Sequence, residues 1–397
     1  MASKPTPGPG RRALPWLTAL AILALLPALA TPAPVYRPAK VAQPARDAWP
    51  PLATLPPPPN PADNPTTAAK VELGRMLFWD GRLSGDGKTP CVACHDPALG
   101  WGEDRAISRS DDGSRHWRNS QTVLNSGYLD RLFWDGSATS LEAQARDAAE
   151  GAVAGNGDPA LMEMRLRLVP EYVERFRQVF GSQWPRLNQA YMAIAAFQRT
   201  LVSDPRKVPF DRYLNGDTGA LSASALRGYE LFRGKAACIQ CHHGPLASDQ
   251  RFHALGVPEH PLFDSDPLHQ ITHRWQQIQK GVDQATYRRA GQDLGLYYVT
   301  RNAKDIGKFR TPPLRELKST APYMHNGIFA TLAEVIDFYA EGGGRHGPHK
   351  SVFIWRLSLD AQERRDLVAF LESLSMDEPL RMQPPTLPPY EALKAPP

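Results

Sequence analysis

Cys91-Val92-Ala93-Cys94-His95 and Cys238-Ile239-Gln240-Cys241-His242 are the two stretches on which the reading of this chain turns. In each, two thiols three residues apart fall on one helical turn, and a histidine follows directly. Thiols so placed can add to the two vinyl groups of a haem, and the next residue is then held beneath the iron as its proximal ligand. The plain alternative is a zinc or redox CxxC with an incidental histidine. Against it, the chain holds only four cysteines, Cys91, Cys94, Cys238 and Cys241, and every one sits in such a motif. Two covalently attached haem c groups are therefore expected, with His95 and His242 as proximal iron ligands.

The surroundings of the two motifs repeat as well. Gly74-Arg75-Met76-Leu77-Phe78 precedes the first and Gly228-Tyr229-Glu230-Leu231-Phe232 the second. Each Leu-Phe pair lies on an apolar helical stripe leading into the cysteine turn, the mark of an old duplication. One haem domain is expected on either side of the 192–201 stretch, in YMAIAAFQRTL, which reads as a buried helix stopped by Asp204-Pro205. Further helices are expected at 161–168, 332–339 and 360–374. Strand signals are few, so the fold class is mainly α, with two cytochrome c-like haem domains at 66–204 and 205–378.

At 397 residues the chain is long enough for two such domains, and 42% apolar residues place it among globular proteins. Its 39 prolines gather in particular places. Residues 31–65 lack apolar periodicity and read as an extended, poorly ordered linker, and 379–397 form a second Pro-rich tail. Before the linker, Arg11-Arg12, an apolar run from Ala13 and an Ala28-Leu29-Ala30 end describe a signal peptide over 1–30, or else an uncleaved anchor that would tether the protein to the membrane. Either way the destination is the periplasm. The formal charge of +5 is modest and sits partly in the leader and linker, so no nucleic-acid partner is expected.

The sixth iron position separates an enzyme from an electron relay, because a relay haem is closed by His or Met and a reactive one stays open. After His95 the candidates in the first half are His116, Met162, Met164 and Met192. The methionines read as core on helical apolar faces, and His116 as a hydrogen-bonding residue of the polar loop SDDGSRHWRN. The first haem is expected to be open. The second half offers Met324, His325, Tyr339, His346 and His349, and position along the chain does not choose among them.

From Thr66 to Leu374 the sequence resembles the bacterial di-haem cytochrome c peroxidases, through ADNPTTAAKVELGRMLFWDGRLSGDG, CVACHDP, WRNSQTVLN, LFWDGSATSLEAQA, FRTPPLRELKSTAPYMHNGIFATLAEVIDFY and DLVAFLESL. Within them it looks nearest the methylamine-utilisation (MauG-like) branch, whose members oxidise tryptophan in a partner protein. The resemblance implies a peroxidatic N-terminal haem and an electron-transferring C-terminal one. It puts the inter-haem tryptophan at Trp134 and the distal glutamine at Gln144. It also implies one calcium ion between the halves, held by Asn119 with Thr320 and Pro322. The distal ligand of the C-terminal haem falls on Tyr339, as in the MauG-like branch, with Met324 as the alternative iron ligand. Two positions depart from the family. Its distal glutamate is replaced by Ala154, leaving Glu150 as the nearest carboxylate, and the loop histidine that switches the peroxidases off is replaced by Asp111.

The function this implies is reduction of hydrogen peroxide with electrons from a small periplasmic cytochrome c or cupredoxin. A MauG-like oxidase modifying Trp or Tyr of a protein substrate is the first alternative. A non-enzymatic di-haem electron-transfer cytochrome is the second, and it requires both irons to be six-coordinate.

Overall fold

Thr67 and Ser222 each end an extended segment, and each hydroxyl oxygen accepts the N–H three residues on, from Lys70 and Ala225. These N-caps start the two helices that lead to the cysteine motifs. In this computed structural model the helices of nine residues or more among the described residues are, in chain order, α1 (Ala68–Phe78), α2 (Leu141–Glu150), α3 (Pro159–Arg167), α4 (Pro170–Phe180), α5 (Leu187–Gln198), α6 (Ala223–Arg233), α7 (Leu332–Ala340) and α8 (Ala361–Glu372). One antiparallel pair of three-residue strands joins Phe252–Ala254 to Lys308–Arg310. The structure describes residues 49–109, 116–265, 274–289, 291–344 and 349–389, all within one compact unit. The leader over 1–30, the linker up to residue 48, Asp111 and His346 lie outside the described residues.

The mainly helical class agrees with expectation, while several bounds move. The helix expected over 192–201 begins at Leu187 and ends at Gln198, and the one expected at 161–168 begins at Pro159, where Asp158 caps the Leu161 N–H. Helix α2 was not foreseen because LEAQARDAAE has almost no apolar stripe; Ser140 caps it, and Ala, Glu, Gln and Arg favour helix without one. Met164 corrects another expectation, being 49% exposed rather than core, whereas Met162 is fully buried.

The two largest apolar cores are each organised by one close helix crossing. In the first, α1 meets α5 at Gly74, where a Cβ would come 1.9 Å from the Ala193 carbonyl oxygen; in the second, α6 meets α8 at Gly228, where it would come 1.9 Å from that of Asp366. Four residues after each glycine a phenylalanine packs on the facing helix: Phe78 lies 5.5 Å from Phe197 and Phe232 lies 5.0 Å from Phe370, centroid to centroid. The repeated Gly-x-x-Leu-Phe is thus a packing device, with glycine admitting the partner backbone and phenylalanine filling the space beyond it.

The proline-rich segments are not loose where they are described. Leu52 is buried in the second core and its residue bridges Gly244, while the Ala53 carbonyl accepts from Arg315 and the Pro56 carbonyl from Tyr128. This corrects the expectation of a poorly ordered linker for 49–65. Proline lacks an N–H, so such a chain offers few donors to a sheet, but its carbonyls still accept from backbone and side-chain donors. At the other end, Leu380 accepts from the Trp101 indole and Pro388 from Arg82, which straps the tail across the first core.

Candidate functional site

Cys91–Ala93 and Cys238–Gln240 form single 3₁₀ turns, and all four thiols are free. Burial pushes the thiols up to about 12 at Cys91, Cys238 and Cys241, and to about 11 at Cys94. A thiolate cluster for zinc would have to overcome that desolvation, whereas a thioether carries no charge and escapes it. Beside the thiols, His95 Nδ1 lies 3.3 Å from the Trp101 carbonyl oxygen, and His242 Nδ1 lies 2.9 Å from that of Ala247. A carbonyl only accepts, so each Nδ1 carries the proton and each Nε2 keeps a lone pair for a metal. Burial holds His242 down at about 4 and lowers His95 as well, so both imidazoles are neutral.

Both turns open on one continuous cavity of about 1530 Å³. That exceeds an ordinary small-molecule pocket and suits two large planar groups. Its lining holds all four cysteines, His95, His242, Trp134, Gln144, Glu150, Met324 and Tyr339. Asn119, Thr320 and Pro322 also line it, as does His116, whose Nδ1 accepts the Arg118 N–H.

Two segments of the wall share one backbone plan. Leu132 bridges Ala138, Phe133 and Gly136 have positive φ, and Ser140 caps α2. Tyr323 bridges Phe329, Met324 and Gly327 have positive φ, and Thr331 caps α7. The offset is 191 residues throughout, since 323 − 132 and 331 − 140 both equal 191. On this register Trp134 corresponds to His325 and Ala148 to Tyr339, and all four line the cavity. The helix that presents a phenol in one half presents a methyl group in the other. Burial, then the neighbouring Cys241 and Cys238 thiols, push the Tyr339 phenol well above its ordinary range, so only an adjacent cation would let it ionise.

Where the halves meet, Trp134 Nε1–H donates to the Asn119 carbonyl at 2.9 Å, and the Asn119 N–H donates to the His325 carbonyl at 2.8 Å. The two corresponding rings, Trp134 and His325, meet edge to face at 6.4 Å, and His325 stacks on Phe309 at 3.7 Å. Arg118 is buried between Asp135 and Asp293, which adds an ion pair across the same seam. Asn119 Nδ2 donates to the Arg105 carbonyl, leaving its Oδ1 unengaged, and the carbonyls of Thr320 and Pro322 accept no hydrogen bond among the described residues. These are three uncommitted hard oxygens, contributed from both halves to the lining of one cavity, and oxygen donors of this kind suit a hard cation.

On the α2 side, Glu150 accepts the Tyr191 hydroxyl at 3.0 Å, and both Glu150 and Ala154 line the cavity. Tyr191, Ala148 and Arg310 escaped the sequence reading. Only a register between α2 and α7 could have singled out Ala148; Tyr191 stands in no chemical motif, and Arg310, although within the quoted FRTPPL segment, was assigned no role there.

These features define a cytochrome c type of protein with two haem sites in one cavity, and residues 68–219 match the family model described as di-haem cytochrome c peroxidase. The chain belongs to the di-haem cytochrome c peroxidase family, an oxidoreductase family with two c-type haems, and it is a peroxidase of that type. It is 64% identical over 345 residues to cytochrome-c peroxidase IdrP1 of Pseudomonas sp. (strain SCT), covering 87% of this chain and 91% of that protein. The methylamine utilization protein MauG of Methylorubrum extorquens stands farther off, at 37% over 333 residues, covering 83% and 84%. Among solved structures, a MauG-like protein associated with microbial copper homeostasis superposes with a TM-score of 0.67 at 33% identity, covering 81% of this chain and 94% of that one.

Proposed function

We propose that this chain reduces hydrogen peroxide at the haem held by Cys91, Cys94 and His95, and takes its electrons one at a time through the haem held by Cys238, Cys241 and His242. The donor in this reading is a small cytochrome c or cupredoxin of the periplasm, reached by the leader in residues 1–30. The observation that carries the reading is the contrast between Ala148 and Tyr339 at matching places on the cavity wall. A methyl group at Ala148 would leave room for a small oxidant at the first haem, and the Tyr339 phenol would fill the corresponding room at the second. The haems supply the redox chemistry: a two-electron reduction of peroxide to water, repaid by two single electrons from the donor.

The chain's own residues do the rest. His95 and His242 hold a lone pair on Nε2 because the Trp101 and Ala247 carbonyls keep the proton on Nδ1. Glu150, oriented by Tyr191, takes a proton from the bound peroxide and returns it to the leaving oxygen, in place of the glutamate missing at Ala154. Gln144 orients the peroxide by hydrogen bonding without exchanging a proton. Trp134, bonded to Asn119 and packed against His325 at the seam, would carry the electron from one half to the other. Asn119 Oδ1 and the carbonyls of Thr320 and Pro322 hold a calcium ion that locks the halves together. Chelation should lower the thermal midpoint and the turnover, and unchanged values after calcium is stripped would remove the ion from the scheme.

Electron paramagnetic resonance of the ferric protein should give one high-spin and one low-spin signal, with turnover on peroxide and a reduced cytochrome or cupredoxin. Two low-spin signals without turnover would leave electron transfer alone. A second reading, a MauG-like oxidase of Trp or Tyr in a partner protein, is favoured by Tyr339 and by the 37% relationship to MauG. It predicts peroxide-dependent modification of a partner protein with slow turnover on every small donor.

A further inference from the structure

Four arginines are buried among the described residues: Arg118, Arg199, Arg310 and Arg315. Three of them face carboxylates, Arg118 with Asp135 and Asp293, Arg199 with Glu142, and Arg315 with Asp211. Arg310 is the most buried of the four, at 1% exposure, and has no carboxylate partner among the described residues. Its Nη1 donates to the Thr311 carbonyl at 3.3 Å and its Nη2 to Gln121 Oε1 at 3.2 Å, while Nε has no acceptor. Burial alone drags its pKa down to about 10. A guanidinium does not shed its proton at neutral pH, and a buried cation without a counter-charge is costly.

The fold holds the residue in that place deliberately. Arg310 ends its strand opposite Phe252, and its own N–H donates to the Trp134 carbonyl at 2.9 Å. The Thr311 carbonyl that takes Nη1 is also bonded by Ser248, shortly after His242, and Gln121 lies in the segment that follows the first cysteine turn. The guanidinium is therefore anchored from both halves, on the wall of the cavity that both CxxCH turns share. A haem brings two propionate carboxylates into such a cavity, and attachment through Cys and His uses neither.

We propose that Arg310 pairs with a propionate carboxylate of one of the two haems, as the counter-charge that the other three buried arginines among the described residues find within the chain. The pair would use the free Nε–H together with an Nη–H, the fork that matches a carboxylate. Because the Arg310 peptide is bonded to Trp134, the same contact fixes that haem against the segment between the two sites.

The test compares the holoprotein with Arg310→Met, which removes the charge, and Arg310→Lys, which keeps the charge and loses the fork. A fixed cation favours the reduced haem, so Arg310→Met should lower the midpoint potential of one haem in a redox titration, and Arg310→Lys should restore most of the shift. The haem that moves is the one whose propionate is held. Resonance Raman should show that haem's propionate bending band displaced in both variants. Unchanged midpoints in Arg310→Met at full haem content would overturn the proposal. Should Arg310→Met fail to load haem, the Raman band of Arg310→Lys decides alone: displaced, it supports the pair, and unmoved, it refutes it.

Discussion

Helix α2 and helix α7 begin from the same capped turn and line the same cavity, yet one carries Ala148 where the other carries Tyr339. Their approach differs in parallel, with Trp134 in one turn and His325 in the other, meeting edge to face at the seam. In the proposed reading a single side chain would divide a duplicated scaffold into an open site and a closed one, because both copies place that position on the cavity wall. The copies keep their packing glycines, Gly74 and Gly228, so the difference in chemistry is laid over an equivalent frame.

The most severe way to erase the difference is Ala148→Tyr. It should close the first site and abolish peroxide turnover, with the high-spin resonance lost while haem content stays; retained turnover would break the correspondence between the helices. Next in size, Glu150→Gln should reduce kcat/KM for peroxide by about 10²- to 10⁴-fold, the range for a positioned acid/base. A Tyr191→Phe change, which only frees Glu150, should cost less, and wild-type kinetics in both would hand proton transfer to solvent. Tyr339→Met keeps the second site closed but exchanges a phenol for a thioether, which favours ferrous iron. Spectroelectrochemistry should find that haem's potential raised and the other's little changed.

Smaller effects test the shared frame. Gly74→Ala and Gly228→Ala each force a Cβ against a facing carbonyl and should each cost about 1–3 kcal/mol in denaturant unfolding. A large loss at one and none at the other would show that the crossings are not equivalent. Least of all, Met324→Leu should cost under about 1.5 kcal/mol and leave the low-spin signal intact. Loss of that signal would make Met324, not Tyr339, the distal ligand.

How far the sequence could be read follows from the range of each interaction. Helices α5, α7 and α8 were legible because their apolar stripes are continuous, whereas α2 was hidden by its polar composition and rests on a cap and intrinsic propensity. The 49–65 linker misled for a related reason. Its anchors are carbonyls taken by Arg315 and Tyr128, donors far along the chain that leave no local pattern. Met164 looked like core on periodicity, yet about half of it stays exposed.

The sequence by itself determined the covalent chemistry, because Cys-x-x-Cys-His places both thiols and the imidazole within one turn whatever the rest of the chain does. It also carried the duplication, in Gly74 to Phe78 and Gly228 to Phe232. Only the tertiary structure decided that the two turns share one cavity, that Ala148 and Tyr339 occupy matching places on it, and that Arg310 is buried there with no carboxylate among the described residues. Those are relations between segments far apart in the chain. They come into being when the α1–α5 and α6–α8 pairs pack and bring the walls together, and no local spacing can encode them.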